Sequence, residues 1–312
     1  MAVAAPFRAV VTTRRRRPQW AHLLAAAIRT RRGTIGLSLA GSVVLLAVIG
    51  PFVAPYSPNQ TVTLDLVGPS AQYLLGSDEQ GRDVLSRVLA GGWELLLMAL
   101  AATVFGVLIG AAAGISAAYL RGRVDGLIMR TVDVFLAFPQ LVFALLLVSI
   151  IGPKIWLIVV AVGFTHAPAV ARVLRSAALE ITERDYVKAI ELQGVRPAKV
   201  MTSEILPNLV SPLMVESGLR FTYSIVMMAG LAFLGFGLAP PAPNWGYMIQ
   251  ENRIGLSLNV WAVAVPVILI ALLTIGINTF TDSVARVAIG VESRSEEALV
   301  DGTGPDEVGI RS

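Results

Sequence analysis

Six predominantly apolar runs, each of membrane-crossing length, alternate with polar segments along the chain: Thr34 to Val53, Trp93 to Tyr119, Leu127 to Ile151, Lys154 to Val173, Leu213 to Leu238 and Val260 to Phe280. A helix needs about 20 apolar residues to cross roughly 30 Å of hydrocarbon, so the pattern predicts an all-α integral membrane protein with six transmembrane helices. An even number of spans puts both ends of the chain on one side.

Lys and Arg in the short flanks choose that side. The N-terminal flank, the link "RGRVDGLIMR" and the link from Arg172 to Lys199 are basic, whereas the opposite loops carry Arg82, Arg87, Lys154 and Arg253. The asymmetry predicts an N-in, C-in arrangement. The domain boundaries follow: a basic cytoplasmic arm over 1–33, a six-span domain over 34–282, and a polar, disordered cytoplasmic tail over 283–312. Within the membrane domain, 55–92 and 239–259 are outer loops and 180–207 is a helical inner link.

Composition agrees with the bilayer. Of 312 residues, 55% are hydrophobic and 15% charged, with mean hydropathy +0.71, against roughly 25% charged in soluble domains. Eight arginines and no acidic residue fall within 1–34; beside a span they point to anionic lipid and topology rather than nucleic acid. A basic region before an apolar one also opens a secretory signal. The first run, however, exceeds the usual h-region of about 7 to 15 residues and reads as an uncleaved first span. With no cysteine, disulfides and thiolate metal sites are excluded.

Catalytic patterns are missing: no phosphate loop, no H-E-x-x-H zinc pair, no G-x-S-x-G elbow. His166 reads as a packing or cavity-lining histidine, with no metal site around it. Charges inside spans are costly and mark candidate function. Asp133 is expected to reach headgroups or a partner chain. Glu216 and Arg220, at i and i+4, form either a structural pair or part of a polar pathway. Gly106, Gly110 and Gly114 make a small-residue row, for packing within the chain or between subunits.

"YVKAIELQGVRPAKVMTSEILPNL", residues 186–209, interrupts the apolar pattern. A helix is expected over Glu180 to Gln193, ended by Gly194 in a left-handed cap. Pro197 suits the first turn of a second helix, and Pro207 is expected to stop it before the fifth span. The product is a helix–turn–helix knob on the inner face.

This segment resembles the coupling motif of binding-protein-dependent ABC transporter permeases: Lys188-Ala189-Ile190, then Gly194, then Leu206-Pro207 twelve positions on. The family's usual Glu is Lys188 here, and its second Ala is Ile190. "LLGSDEQGRDVLSRVLAGG" and "LAFLGFGLAPPAPNWGYMI" are similar to two signatures of the peptide, oligopeptide and nickel group, extending the likeness over about residues 74 to 282.

The resemblance implies a type I importer permease fold and half of a translocation pathway in a bacterial inner membrane. A second permease subunit, identical or homologous, would pair with this chain. Two cytoplasmic ABC ATPase subunits would hold ATP and Mg, leaving no cofactor in this chain, and an extracytoplasmic solute-binding protein would deliver short peptides. Nickel chelates or another small solute are the alternative cargo; a stand-alone channel or ion-coupled carrier is the rival from another class. The resemblance assigns coupling to Asp185, Tyr186, Ala189, Gly194, Leu206 and Pro207. It assigns docking of the delivery protein or sealing of the outer gate to Arg82, Asp83, Arg87 and Trp245, beside the simpler reading that Asp78 N-caps a surface helix with Glu79 in its first turn. His166, Glu216 and Arg220 are candidate pathway residues.

Overall fold

The computed structural model describes residues 19–237 and 242–300. Their helices are α1 (Gln19–Arg29), α2 (Arg31–Val53), α3 (Val84–Ala90), α4 (Gly92–Leu120), α5 (Gly122–Leu136) and α6 (Gln140–Ile151), followed by α7 (Ile155–Thr182), α8 (Asp185–Leu192), α9 (Pro197–Val200), α10 (Val210–Leu231), α11 (Trp245–Asn252) and α12 (Trp261–Val300). Among the described residues there is no strand, only isolated bridges at Thr61–Arg82 and Ser77–Asp83. Five helical runs are long and apolar enough to cross a membrane, and a sixth if α5 and α6 form one bent span. This is the all-α membrane architecture the apolar pattern predicts, and it agrees with the type I importer permease fold that the resemblance implies.

α4 and α7 form the central pair. The glycine row of α4 makes their close approach possible: a Cβ at Gly106, Gly110 or Gly114 would lie 2.4, 2.6 or 2.4 Å from the backbone oxygens of Gly163, Ala167 or Ala171 in α7. Packing within the chain is therefore what the row serves, since only glycine lets backbones meet so closely. α10 lies against α4 and α12, and α12 pairs with α2. Leu95, Ala99, Ala102, Ile158, Val162, Ile225, Met228 and Leu231 fill the core where these helices converge.

Several boundaries differ from the expectation. The third span is two helices meeting at 84°. Pro139 is the reason: it disfavours a helical residue before it and cannot donate to the preceding turn, so the chain breaks at 137–139. α1 lies inside the stretch read as a basic arm, burying Leu23 and Ala27 one turn apart and packing on α12. Thr30 then caps α2 and its hydroxyl meets that of Ser283 at 2.6 Å. The last helix continues to Val300, into the stretch expected to be a disordered tail. Residues 1–18 of the arm, 301–312 of the tail and Leu238, the expected end of the fifth span, lie outside the described residues.

Candidate functional site

Two polar assemblies stand at opposite ends of the bundle, and a third polar group lies along α10 between them.

The first assembly is the α8–α9 loop. α7 runs on to Thr182 before a break at Glu183 and Arg184, so α8 is a separate short helix rather than part of one helix over 180–193. The turn after it matches its punctuation. Gly194 sits at φ +74°, its N–H donating to the Glu191 carbonyl at 2.9 Å, and Pro197 occupies the first turn of α9. Pro207 does not stop the second helix. The chain passes through a widened π turn over Met201–Ile205 and a tight 3-10 turn over Leu206–Leu209, then continues as α10. The π turn gives room where the proline ring would press on the carbonyl four residues earlier.

The loop is two-faced. Val187, Val200, Ile205 and Leu209 are buried against Ile115, Ala118, Ala178 and Ile181 at the ends of α4 and α7. This apolar footing seats the loop directly on the central helix pair. The opposite side is open: Asp185, Tyr186, Ala189, Gly194 and Pro207 are exposed, and Leu206 is half-buried. Tyr186 also accepts a hydrogen bond at its hydroxyl from Asn208 Nδ2 at 3.2 Å, tying α8 to the 3-10 turn. Lys188 faces Glu183 at 3.3 Å, and Glu183 also accepts from Arg121 at 2.6 Å. The Arg121 hydrogen bond, then that of Lys188, holds the Glu183 carboxyl below its ordinary range.

Leu192 is the residue the sequence reading passed over. It is 90% exposed at the end of α8, where an apolar side chain among Glu191, Gln193 and Gly194 was the available signal. α5 is tied to α7 by a two-point Arg175–Asp125 bond of 2.5 and 2.6 Å and by the Arg172–Asp133 ion pair. Asp133 therefore has an ion-pair partner within the chain and stays largely exposed beside it.

The second assembly joins the outer loops. Asp78, Arg82, Arg87 and Glu251 form a buried ring of charge. Arg82 lies 2.7 Å from Asp78 and 2.6 Å from Glu251, and Arg87 lies 3.2 and 3.0 Å from the same two carboxylates. Asp83, not Asp78, caps α3, accepting from the Ser86 N–H at 2.8 Å. Trp245 is wholly buried and donates from Nε1 to the Val88 carbonyl at 2.8 Å. Asn259 Nδ2 reaches the Leu75 and Ser77 carbonyls at 2.9 and 3.0 Å. Arg82, Arg87 and Trp245 thus point inward and clamp the 55–92 loop to α11, while Asp83 is buried as the cap of α3. The open surface above them is a depression of 390 Å³ lined by Glu79, Gln80, Tyr247, Gln250, Glu251 and Arg253. Burial raises the Tyr247 hydroxyl, so it stays protonated there.

Between the two, His166 Nε2 meets Ser224 Oγ at 3.0 Å, and Ser224 meets Thr103 Oγ1 at 3.0 Å. These bonds tie α7, α10 and α4 in the middle of the core, as the packing reading of His166 has it. Arg220 Nε donates to Glu216 at 3.0 Å, and the guanidinium lies 5.3 Å from the Tyr223 ring centre. Among the described residues no group of three or more His, Asp or Glu side chains is placed to hold a metal ion.

Comparison with known proteins converges on one family. Residues 106–288 match the family described as binding-protein-dependent transport system inner membrane component. The chain is similar to the di/tripeptide transport system permease protein DppC of Pseudomonas aeruginosa, 37% identical over 77% of this chain and 82% of that one. It is also similar to the glutathione transport system permease protein GsiD of Shigella dysenteriae, 36% identical over 81% and 86%. Among solved structures, a chain of the inward-facing MetNI methionine ABC transporter superposes with TM-score 0.51 at 19% identity, covering 64% of this chain and 95% of that one. That likeness concerns the fold. The family is one of transport components rather than enzymes and sets aside a stand-alone channel or carrier. The chain belongs to the inner membrane components of binding-protein-dependent transport systems, as the multi-pass permease subunit of an ABC importer.

Proposed function

We propose that this permease carries short peptides inward across a bacterial inner membrane, driven by separate ATPase subunits that grip the α8–α9 loop. The observation that carries the coupling reading is the two-faced loop: an apolar footing on α4 and α7, and an exposed knob of Asp185, Tyr186, Ala189, Leu192 and Gly194. Leu206 and Pro207 act from behind it, setting the π and 3-10 turns that make loop and α10 one continuous body. ATP and Mg²⁺ belong to the partner subunits. Lys and Arg enrichment near this end supports placing it in the cytoplasm.

The peptide reading rests on the relatives, which are named as di/tripeptide and glutathione permeases at 36–37% identity over most of the chain. A second permease subunit completes the pathway. The delivery protein docks at the opposite end, over the exposed Glu79, Gln80 and Arg253, while the buried Asp78–Arg82–Arg87–Glu251 ring keeps that platform rigid. Rocking of helices about a central site then exposes cargo to alternate sides.

The test is to purify the native complex, identify its subunits and measure ATP hydrolysis stimulated by loaded delivery protein across peptide lengths. Two ATPase subunits, a second permease and stimulation by peptides of two to five residues are expected. Stimulation by a nickel chelate and by no peptide would replace the cargo while leaving the coupling scheme in place.

A further inference from the structure

An apolar groove of 550 Å³ runs between α10 and the group formed by α1, α2 and α12. Leu24 of α1, Leu37 of α2, Met214 and Phe221 of α10, and Phe280 and Val284 of α12 wall it. Among the described residues, none that lines it is charged; its polar part is the hydroxyls of Ser217 and Thr281. Ser217 already donates to the Leu213 carbonyl of its own helix at 2.6 Å. The groove begins at Val210, directly after the 3-10 turn that ends the α8–α9 loop, and reaches Phe221. That length of helix covers about 16 Å, close to half of the roughly 30 Å hydrocarbon core. Its depth is therefore that of one leaflet. At about 30 Å³ per methylene, near a water molecule's share of liquid volume, the groove holds a single acyl chain.

A lipid tail is as apolar as the groove, so no hydrophobic force drives one into it from the bilayer. Selection must come from the headgroup, and this chain gathers positive charge at the groove's inner end. Thr30, at the α1–α2 corner, meets the Ser283 hydroxyl at 2.6 Å, and Ser283 immediately precedes the wall residue Val284. Arg29, Arg31 and Arg32 flank Thr30 and are exposed. The ion pairs of the described residues involve none of the three. Asp282 and Arg286, also exposed, fall on the far side of α12 from the groove at about 100° per residue. α1 itself buries Leu23 and Ala27, turns Leu24 to the groove and exposes His22 and Arg29. This is the two-faced pattern of a helix that settles at a membrane interface.

We propose that the groove is a binding site for one anionic phospholipid of the leaflet on the side of the α8–α9 loop. One acyl chain lies along α10 from Val210 to Phe221. The phosphate meets the Arg29–Arg32 corner, where planar guanidinium forks donate paired hydrogen bonds to it. So seated, the lipid joins the helix that leaves the α8–α9 loop to the α2–α12 pair. Each Lys or Arg near an anionic headgroup favours it by about five-fold, so three arginines set a clear preference over a zwitterionic lipid. The site requires only that the chain span a membrane and is independent of the solute carried.

The test uses the whole complex in phosphatidylcholine nanodiscs containing a trace of phosphatidylglycerol or phosphatidylcholine with a diazirine on one acyl chain. After irradiation, labelled residues are located by peptide mass spectrometry. Labelling of α10 between Val210 and Phe221 is expected, at least ten-fold stronger from the phosphatidylglycerol than from the phosphatidylcholine. R29Q/R31Q/R32Q is expected to bring the two lipids within two-fold of one another; of the eight arginines in residues 1–34 it changes three and leaves five to hold the topology. S217W, which fills the groove, is expected to lower phosphatidylglycerol labelling at least ten-fold. Equal labelling by the two lipids in the native complex would show ordinary boundary lipid and overturn the proposal, as would undiminished labelling in S217W. Absence of label from the groove overturns it too; cross-linking of S217C, in a chain with no native cysteine, to the second permease would then identify that subunit as the occupant. If S217W does not assemble, the native comparison and the arginine variant decide alone.

Discussion

Gly194 is the residue on which the account of the inner end turns. Its φ of +74° is the left-handed region, which glycine adopts without penalty and an L side chain enters at a cost of about 1 kcal/mol. No atom lies within 4 Å of where its Cβ would stand. A side chain there costs the isolated subunit little and projects from the knob. Gly194→Ala is accordingly expected to keep most uptake and Gly194→Glu to lose it, with both proteins at native abundance in the membrane. Equal loss in the two would show that backbone conformation, not projection into a partner, is what matters. Gly194 and Pro197 were legible in the sequence because the constraint is local: each residue type matches one backbone demand. Leu192 was not, because only the folded loop shows that nothing in this chain covers it. The same holds for Lys188, which stands where the family's usual Glu is expected and here faces Glu183. Because that carboxyl is held below its ordinary value, the Arg121–Glu183–Lys188 contact is complete at neutral pH and above. It is lost only as pH falls through the lowered pKa, so coupling efficiency is expected to be flat between about pH 6 and 8 on this account.

Among elements, the α4–α7 pair and the outer clamp make opposite demands. The first is built on absence of side chains. Gly110→Val would place its Cβ 2.6 Å from both the Ala167 oxygen and Val170 Cβ, and is expected to cost about 1–3 kcal/mol through forced separation of the helices. Gly126→Ala in α5, where a Cβ meets nothing within 4 Å, is the matched control and is expected to leave the melting temperature unlowered or slightly raised, since Ala favours a helix interior over Gly. The clamp is built on charge. Glu251→Gln leaves Arg82 and Arg87 sharing Asp78 alone in a buried site, and removing one partner of a buried ion pair typically costs about 3–5 kcal/mol. Thermal unfolding of the purified subunit in detergent reads both, and a clamp variant as stable as the native protein would contradict the ring's structural role. The small-residue row of α4 could be read from its spacing, since helical period is a local property. The clamp could not: Glu251 is 164 residues from Arg87, and "GSDEQGRD" reads equally well as a helix cap until α11 is seen closing over it. The bend at Pro139 falls between these cases, with its cause written in the sequence and its angle of 84° set by packing of α6 against α7.

At the scale of the whole molecule, the chain is a lever with a handle at one end and a rigid platform at the other. The handle rests on the ends of α4 and α7 through Val187, Val200, Ile205 and Leu209, and α10 continues from it without a break past the Glu216–Arg220 pair. On the proposed coupling, motion at α8 is expected to reach the central helices and α10 together. The all-helical, multi-span character was legible from hydropathy alone, because the bilayer leaves a chain few other ways to satisfy its backbone. The most direct measurement of the central claim is ATP-driven uptake by the Gly194→Glu protein, assembled with its ATPases and delivery protein in liposomes. The account predicts a correctly inserted subunit with uptake reduced at least ten-fold; undiminished uptake would contradict it.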